Sequence, residues 1–216
     1  MPKVKICCIS SLEEAAMAIN AGAYALGLVG EMPSGPGVIS DDLIAEVAAW
    51  APNHIRTFLL TSETSVEGIV SHYEKVRTTT IQIVDTLKDG DYVSLRTALP
   101  GVEIVQVIHV LDENSVEEAL HIARHVDMLL LDSGNPNLKV KELGGTGRTH
   151  NWGLSRQIVV NSSVPVFLAG GLKPENVASA VQRVNSFGLD LCSGVRTNGV
   201  LDQEKLEAFF KAIPVV

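Results

Sequence analysis

Residues 164–184 read Val-Pro-Val-Phe-Leu-Ala-Gly-Gly-Leu-Lys-Pro-Glu-Asn-Val-Ala-Ser-Ala-Val-Gln-Arg-Val. Three patterns follow one another in that stretch. Val164–Leu168 is a short, almost unbroken apolar run, as expected of a strand covered on both faces. Ala169-Gly170-Gly171 ends it with small residues that permit a tight turn. Pro174 has the pre-set torsion of a first helical position, and the spacing beyond it predicts a helix over Pro174–Val184.

The same order repeats on both sides. Strand-like runs occupy Val4–Ile9, Ala25–Val29, Arg56–Leu60, Thr80–Val84, Glu103–His109, Met128–Leu131 and Leu189–Ser193. Amphipathic segments follow them: Ser11 to Ala21-Gly22, then Asp41–Trp50, Ser65–Val76, Asp91–Leu99, Glu113–Val126, Asn151–Asn161 and Asp202–Ile213. Eight strand–helix units imply a single (β/α)8 domain over residues 1–216, a TIM barrel. A doubly wound open sheet is the competing arrangement. It usually leads with a glycine-rich first turn, whereas here the first strand runs into Cys7-Cys8-Ile9-Ser10. The long irregular stretches Gly30–Ile39 and Ser133–Thr149 both follow strands, which puts both on the catalytic face of a barrel.

Composition narrows the function. Lys and Arg number 17 against 25 Asp and Glu, a net charge of −8. With no basic tract, the chain lacks the positive surface of a general nucleic-acid binder. Any anionic ligand needs a local site working against the overall field. Cys7, Cys8 and Cys192 are odd in number, two are adjacent, and no pair has zinc-ligand spacing, so they do not form a disulfide framework. No stretch approaches the ~20 apolar residues of a membrane span, and the apolar run near the start is too short for a signal peptide. These features predict a soluble, cytoplasmic protein.

In a barrel of this kind the site is built at the C-terminal ends of the strands. Those ends carry Cys7, Gly30-Glu31, Thr61, Asp85, His109, Asp132, Ala169-Gly170-Gly171 and Ser193-Gly194. Cys7 and Asp132 can face each other across the mouth, where an ionisable thiol and a protonated carboxyl make a base–acid couple. The competing reading makes Cys7 a small core residue and Asp132 a loop cap. The small residues at 169–171 and at Ser193-Gly194 let backbone N–H groups approach an anion, in the usual phosphate position of such barrels. The run Gly144-Gly145-Thr146-Gly147-Arg148-Thr149 has the composition of a phosphate loop without the Walker spacing, and is read as a lid or wall over a phosphosugar.

Lys5-Ile6-Cys7-Cys8-Ile9, Leu129-Leu130-Leu131-Asp132-Ser133, Gly144-Gly145-Thr146-Gly147, Ala169-Gly170-Gly171-Leu172 with Pro174-Glu175-Asn176-Val177, and Ser193-Gly194-Val195 come in the order of a known family. Together they resemble phosphoribosylanthranilate isomerase over almost the whole chain. The resemblance implies a (β/α)8 barrel catalysing an Amadori rearrangement in tryptophan biosynthesis, as monomer or homodimer, on a small phosphosugar. It implies that Asp132 protonates the ribose ring oxygen and that Cys7 removes the C2 proton. No metal or organic cofactor is implied, because the substrate nitrogen is the electron sink. Gly145, Gly170, Gly171, Ser193 and Gly194 are the expected phosphate contacts.

Four positions depart from the family pattern. Cys8 replaces the glycine after the cysteine, and Gly35-Pro36-Gly37 replaces a Ser-Pro-Arg run whose arginine helps hold the anthranilate carboxylate. Gln82-Ile83-Val84-Asp85 stands for Gln-Leu-His-Gly, and Arg196 stands for glutamate. Arg148 and Arg196 are the candidate replacement cations, at least one of them expected to point into the mouth, with Asp85 as a further contact. Two rivals remain: an isomerase of another phosphorylated aminoaldose, and a non-catalytic phosphosugar-binding barrel.

Other expectations are structural. Lys5 shares Cys7's side of its strand one layer deeper, needs a partner there, and finds one in Asp190. His121 and His125 have ligand spacing without an evident third ligand and are read as a solvated helix face. His109 is read as a hydrogen-bonded structural histidine, Cys192 as packing, and Trp50 and Trp152 as helix-to-barrel packing.

Overall fold

The computed structural model describes residues 1–88 and 91–214. Each apolar run becomes a parallel strand: β1 Lys3–Ile6, β2 Ala25–Val29, β3 Arg56–Thr61, β4 Thr80–Ile83, β5 Glu103–His109, β6 Met128–Asp132, β7 Val166–Leu168 and β8 Gly188–Leu191. Between and after them run α1 Leu12–Asn20, α2 Asp41–Trp50, α3 Val66–Val76, α4 Asp91–Ala98, α5 Asn114–Ile122, α6 Trp152–Asn161, α7 Val177–Val184 and α8 Gln203–Ala212. Strand order is sequential and β8 pairs back onto β1, with Lys5 opposite Asp190. That pairing closes a (β/α)8 barrel and excludes the open sheet.

Local chemistry sets where the helices start. Ser11, Ser40, Ser65, Asn151 and Asp202 each accept a hydrogen bond at the start of their helix, from the N–H of Glu14, Leu43, Gly68, Gly153 and Lys205. Each such cap contributes about 1 kcal/mol. The helix after β7 starts later than expected. Pro174 lies in a turn, and the Asn176 side chain accepts from Lys173 N–H while donating to the Gly171 carbonyl, both at 2.9 Å. That bridge holds the chain in a turn until Val177. After β8, Ser193–Val195 forms a single 3-10 turn, and β9 Arg196–Thr197 and β10 Val200–Leu201 make a small antiparallel ribbon. Neither was legible as a strand or helix pattern.

Alternation along the strands sorts the residues into two layers. Ile6, Leu26, Leu28, Leu59, Ile81, Ile104, Leu129 and Leu131 face the helices in the larger core. Inside the barrel lie Ala25, Phe58, Leu60, Val105, Val107, Met128, Leu130 and Phe167. Phe58 and Phe167 meet edge to face at 6.1 Å. Gly188 opposite them is required, since a methyl there would lie 2.3 Å from the Phe167 ring. Of the two tryptophans, Trp152 is buried under the Arg183 guanidinium, whereas Trp50, expected to pack, is 45 % exposed at the end of α2. His125 stacks on Tyr92 at 5.9 Å, with His121 against it, so that helix face is not simply solvated.

Phe167 is fully buried inside the barrel, against Phe58 and Phe187. Phe167→Ala is expected to cost about 3–5 kcal/mol, as seen in the midpoint of urea unfolding.

Candidate active site

The floor of the site is set at the seam where the barrel closes. Lys5 is fully buried, and its Nζ donates to Asp190 Oδ1 at 2.8 Å, as the strand pairing anticipates. Burial opposes the ammonium charge, but Asp190, with Cys7 and Cys8 nearby, outweighs it and raises the Lys5 pKa. Gly27 on β2 makes room for this layer. A methyl there would lie 2.8 Å from Cys7 Sγ and 3.0 Å from Lys5 Nζ.

Above that pair, at the mouth of the barrel, opens a cavity. Cys7 from the end of β1 and Asp132 from the end of β6 both line it. Asp132 Oδ1 accepts from Ser133 N–H at 2.7 Å. Its Oδ2 lies under the loop after β6, where a methyl on Gly144 would come within 2.8 Å. Burial is the main influence on this carboxyl, reinforced by Asp190 and opposed by the Ser133 N–H, His109 and Lys5. The net effect raises its pKa above the ordinary aspartate value. A proton is thus held more readily than on an exposed aspartate, as a general acid requires.

Two turns make the small-residue end of the cavity. Gly170 and Gly171 have φ of 81° and 60°, the left-handed region that favours glycine. Methyls on them would meet the backbone of Gly147, Arg148 and Thr149 at about 3 Å. Gly145, Gly170, Gly171 and Ser193 all line the cavity. Gly194 does not. It packs on the Leu172 carbonyl, so its role is to let the 3-10 turn approach the turn after β7. Both long loops reach the site, through Met32 to Pro36 and Leu143 to Gly147, and Ser34 Oγ donates to the Lys141 carbonyl between them.

The opposite wall is apolar, made by Val29, Met32, Leu60, Val84 and Leu143. Gln82 projects into it from β4, and its Oε1 has no partner within the protein. Such a buried acceptor is available to a ligand donor. Gln82 went unremarked as a contact because a strand interior does not advertise which glutamine ends beside a cavity.

The replacement cations lie elsewhere. Arg196 is buried beneath the site, where it binds Glu14 in a two-pronged pair at 2.9 and 3.0 Å and donates to the Cys7, Cys8 and Gly199 carbonyls. Arg148 is exposed and paired with Glu142. Asp85 pairs with Lys141 and accepts from Thr86 N–H. None of the three borders the cavity, so their expected contact with the mouth is corrected. In each case a nearer opposite charge captures the side chain. Among the described residues lining the cavity there is no Arg or Lys. His109 Nε2 donates to the Val84 carbonyl at 3.0 Å, as a structural histidine does. Cys192, expected to pack, instead lines the cavity with its Sγ 2.6 Å from that of Cys8.

Two departures from the family pattern are physically linked. Cys8 has φ 62° and Gly37 φ 82°, and a methyl on Gly37 would lie 2.4 Å from Cys8 Cβ. A side chain at 37 would also meet the Cys8 Cα at 2.9 Å, in a left-handed backbone that itself favours glycine.

Over residues 4–212 the chain matches the protein family described as N-(5'phosphoribosyl)anthranilate (PRA) isomerase. It belongs to that family. The N-(5'-phosphoribosyl)anthranilate isomerase 2 of Methanosarcina mazei is 33% identical over 209 residues, covering 96% of this chain and 92% of the relative. The phosphoribosyl anthranilate isomerase of Thermotoga maritima superposes with a TM-score of 0.81 at 28% identity, over 98% of both chains. A third isomerase of the family, solved in complex with reduced 1-(o-carboxyphenylamino)-1-deoxyribulose 5-phosphate, has a TM-score of 0.78 at 26% identity and the same coverage.

Two carboxyls near the site respond oppositely to charge, which gives a test. Burial pushes the Glu14 pKa up, but Arg196 and the Leu201 N–H outweigh it and hold the carboxyl below its ordinary value. Its stabilisation is therefore present above the ordinary glutamate pKa and lost as pH falls through the lowered one. Glu14→Gln is expected to lower Tm at pH 7 and to flatten the acid limb of Tm against pH. For Asp132, whose pKa is raised, ionisation at neutral pH opposes folding. Asp132→Asn is expected to keep or raise Tm at pH 7 while turnover is lost.

Proposed function

We propose that this cavity carries out the reaction of its family, the conversion of N-(5-phosphoribosyl)anthranilate to its 1-deoxyribulose 5-phosphate form, with Asp132 as acid and Cys7 as base. The observation that carries the reading is the shared cavity: a buried carboxyl inclined to hold a proton and a thiol open to the same space, with glycine turns at one end. As a member of the family the chain is an isomerase of tryptophan biosynthesis on a TIM barrel.

Asp132 protonates the ribose ring oxygen, the C1–O bond breaks, and the substrate nitrogen's lone pair forms the Schiff base. Cys7 as thiolate then takes the C2 proton, and the C2–H electrons move to the nitrogen. The resulting enolamine tautomerises to the ketone. The phosphate is received by the main chain at Gly145, Gly170 and Gly171 and by Ser193, in the usual anion position of such barrels. Gln82 Oε1 accepts from a substrate N–H or hydroxyl. The aromatic ring rests on Val29, Leu60, Val84 and Leu143. No metal or organic cofactor enters this scheme, and its setting is the cytoplasm. No described helix is long and apolar enough to cross a membrane.

The test is rescue of a tryptophan auxotroph lacking this isomerase. The parent chain is expected to restore growth, and Cys7→Ser and Asp132→Ala are expected to fail. Turnover of the purified variants should fall by about 10²–10⁴-fold per removed group. Rescue by either variant would overturn the assignment of roles.

The lining also favours a wider reading of substrate. With no Arg or Lys among the described residues of the cavity wall, the anthranilate carboxylate lacks the charge-assisted partner worth about 1.5–3 kcal/mol. The phosphoribosyl derivative of aniline is therefore expected to be turned over with kcat/KM close to that of the anthranilate compound. A loss of about a hundredfold on removing the carboxylate would show instead that a cation reaches it.

A further inference from the structure

Cys7, Cys8 and Cys192 are all free thiols bordering the same cavity, and the isomerisation needs only the first. Cys8 and Cys192 are 184 residues apart, yet their sulfurs are 2.6 Å apart across the seam between β1 and β8. A disulfide holds its sulfurs at about 2.05 Å, so bond formation asks for a shift of roughly half an ångström. The two thiols differ in reach, Cys8 being buried and Cys192 half-buried. They also differ in acidity. Hydrogen bonding with Cys8, helped by Arg196, draws the Cys192 thiol down despite burial, while hydrogen bonds with Cys192 and Cys7 push Cys8 up. The accessible partner is thus the better nucleophile, and the buried one stands ready to resolve it.

We propose that Cys8 and Cys192 form a reversible disulfide beside Cys7 that turns the cavity off, with a low-molecular-weight disulfide such as oxidised glutathione as oxidant. The Cys192 thiolate attacks one sulfur of the oxidant and expels one thiolate. Cys8 then attacks the Cys192 sulfur of the mixed disulfide, and the second small thiolate leaves. The two protein thiols are oxidised, the oxidant is reduced to two thiols, and the two cysteine protons end on them. The bond removes the Cys8 S–H that neighbours Cys7 and straps the end of β1 to the turn carrying Ser193. This loss of turnover rests on the isomerase reading, whereas formation of the bond does not.

The test incubates the whole protein in buffers of reduced and oxidised glutathione and follows free-thiol count, intact mass, peptide mapping and turnover. Oxidation should leave one reactive thiol of three and lower the mass by two hydrogens. Peptide mapping should link Cys8 to Cys192. Turnover should disappear in step and return with dithiothreitol. Cys192→Ser and Cys8→Gly, each compared with its own reduced state, should show no such loss. Three thiols persisting in fully oxidised glutathione, a link through Cys7, or turnover unchanged in the linked form would each overturn the proposal. Should neither variant fold, the mapping and thiol count on the parent decide it. A linked chain inactive in both redox states would instead count against the isomerase reading.

Discussion

The ion pair between Lys5 and Asp190 is the contact on which the site depends. It spans the seam where the last strand meets the first, and both charges are withdrawn from water. Removing either partner would leave a buried charge uncompensated, a penalty of about 3–5 kcal/mol. The pair therefore constrains the register of β1 against β8 as well as the electrostatics above it. Cys7 stands two residues on from Lys5 and Cys192 two on from Asp190, so the closure also decides which thiols meet.

A second charge pair works just outside the first. Arg196 spans Glu14 on α1 and the carbonyls of Cys7 and Cys8, while Glu14 accepts from Ser10 and Leu201 N–H. It fastens the chain after β8 to the chain after β1. The guanidinium that stands where the family carries glutamate has become a brace for the catalytic strand end. Its two Nη groups are bound within the protein, its buried Nε has no partner there, and the side chain does not line the cavity.

The wall formed by Cys8 and the loop after β2 shows how neighbouring substitutions meet. A side chain at Cys8, held in left-handed backbone at a cost of about 1–2 kcal/mol, occupies the space that any side chain at 37 would need. Glycine at 37 fits that space and its own left-handed backbone. The same Cys8 sulfur then lies against Cys192. Two departures, at 8 and 37, thus meet at one packing contact.

The eight strands, their helices, the catalytic-face loops and the buried partner of Lys5 were all legible in the sequence, because burial on both faces, capping and strand alternation are local patterns. The positions of Cys7 and Asp132 at strand ends followed from the same periodicity. The destinations of Arg148, Arg196 and Asp85 did not, since a long charged side chain goes to whichever opposite charge the fold brings nearest. Gln82's entry into the cavity, the late start of α7 and the ribbon after β8 were likewise set by contacts between distant segments. What the chain alone determined was the barrel and the chemistry available at its mouth. Which side chains use that mouth was decided by closure of the sheet, because only closure sets the distances between residues almost two hundred positions apart.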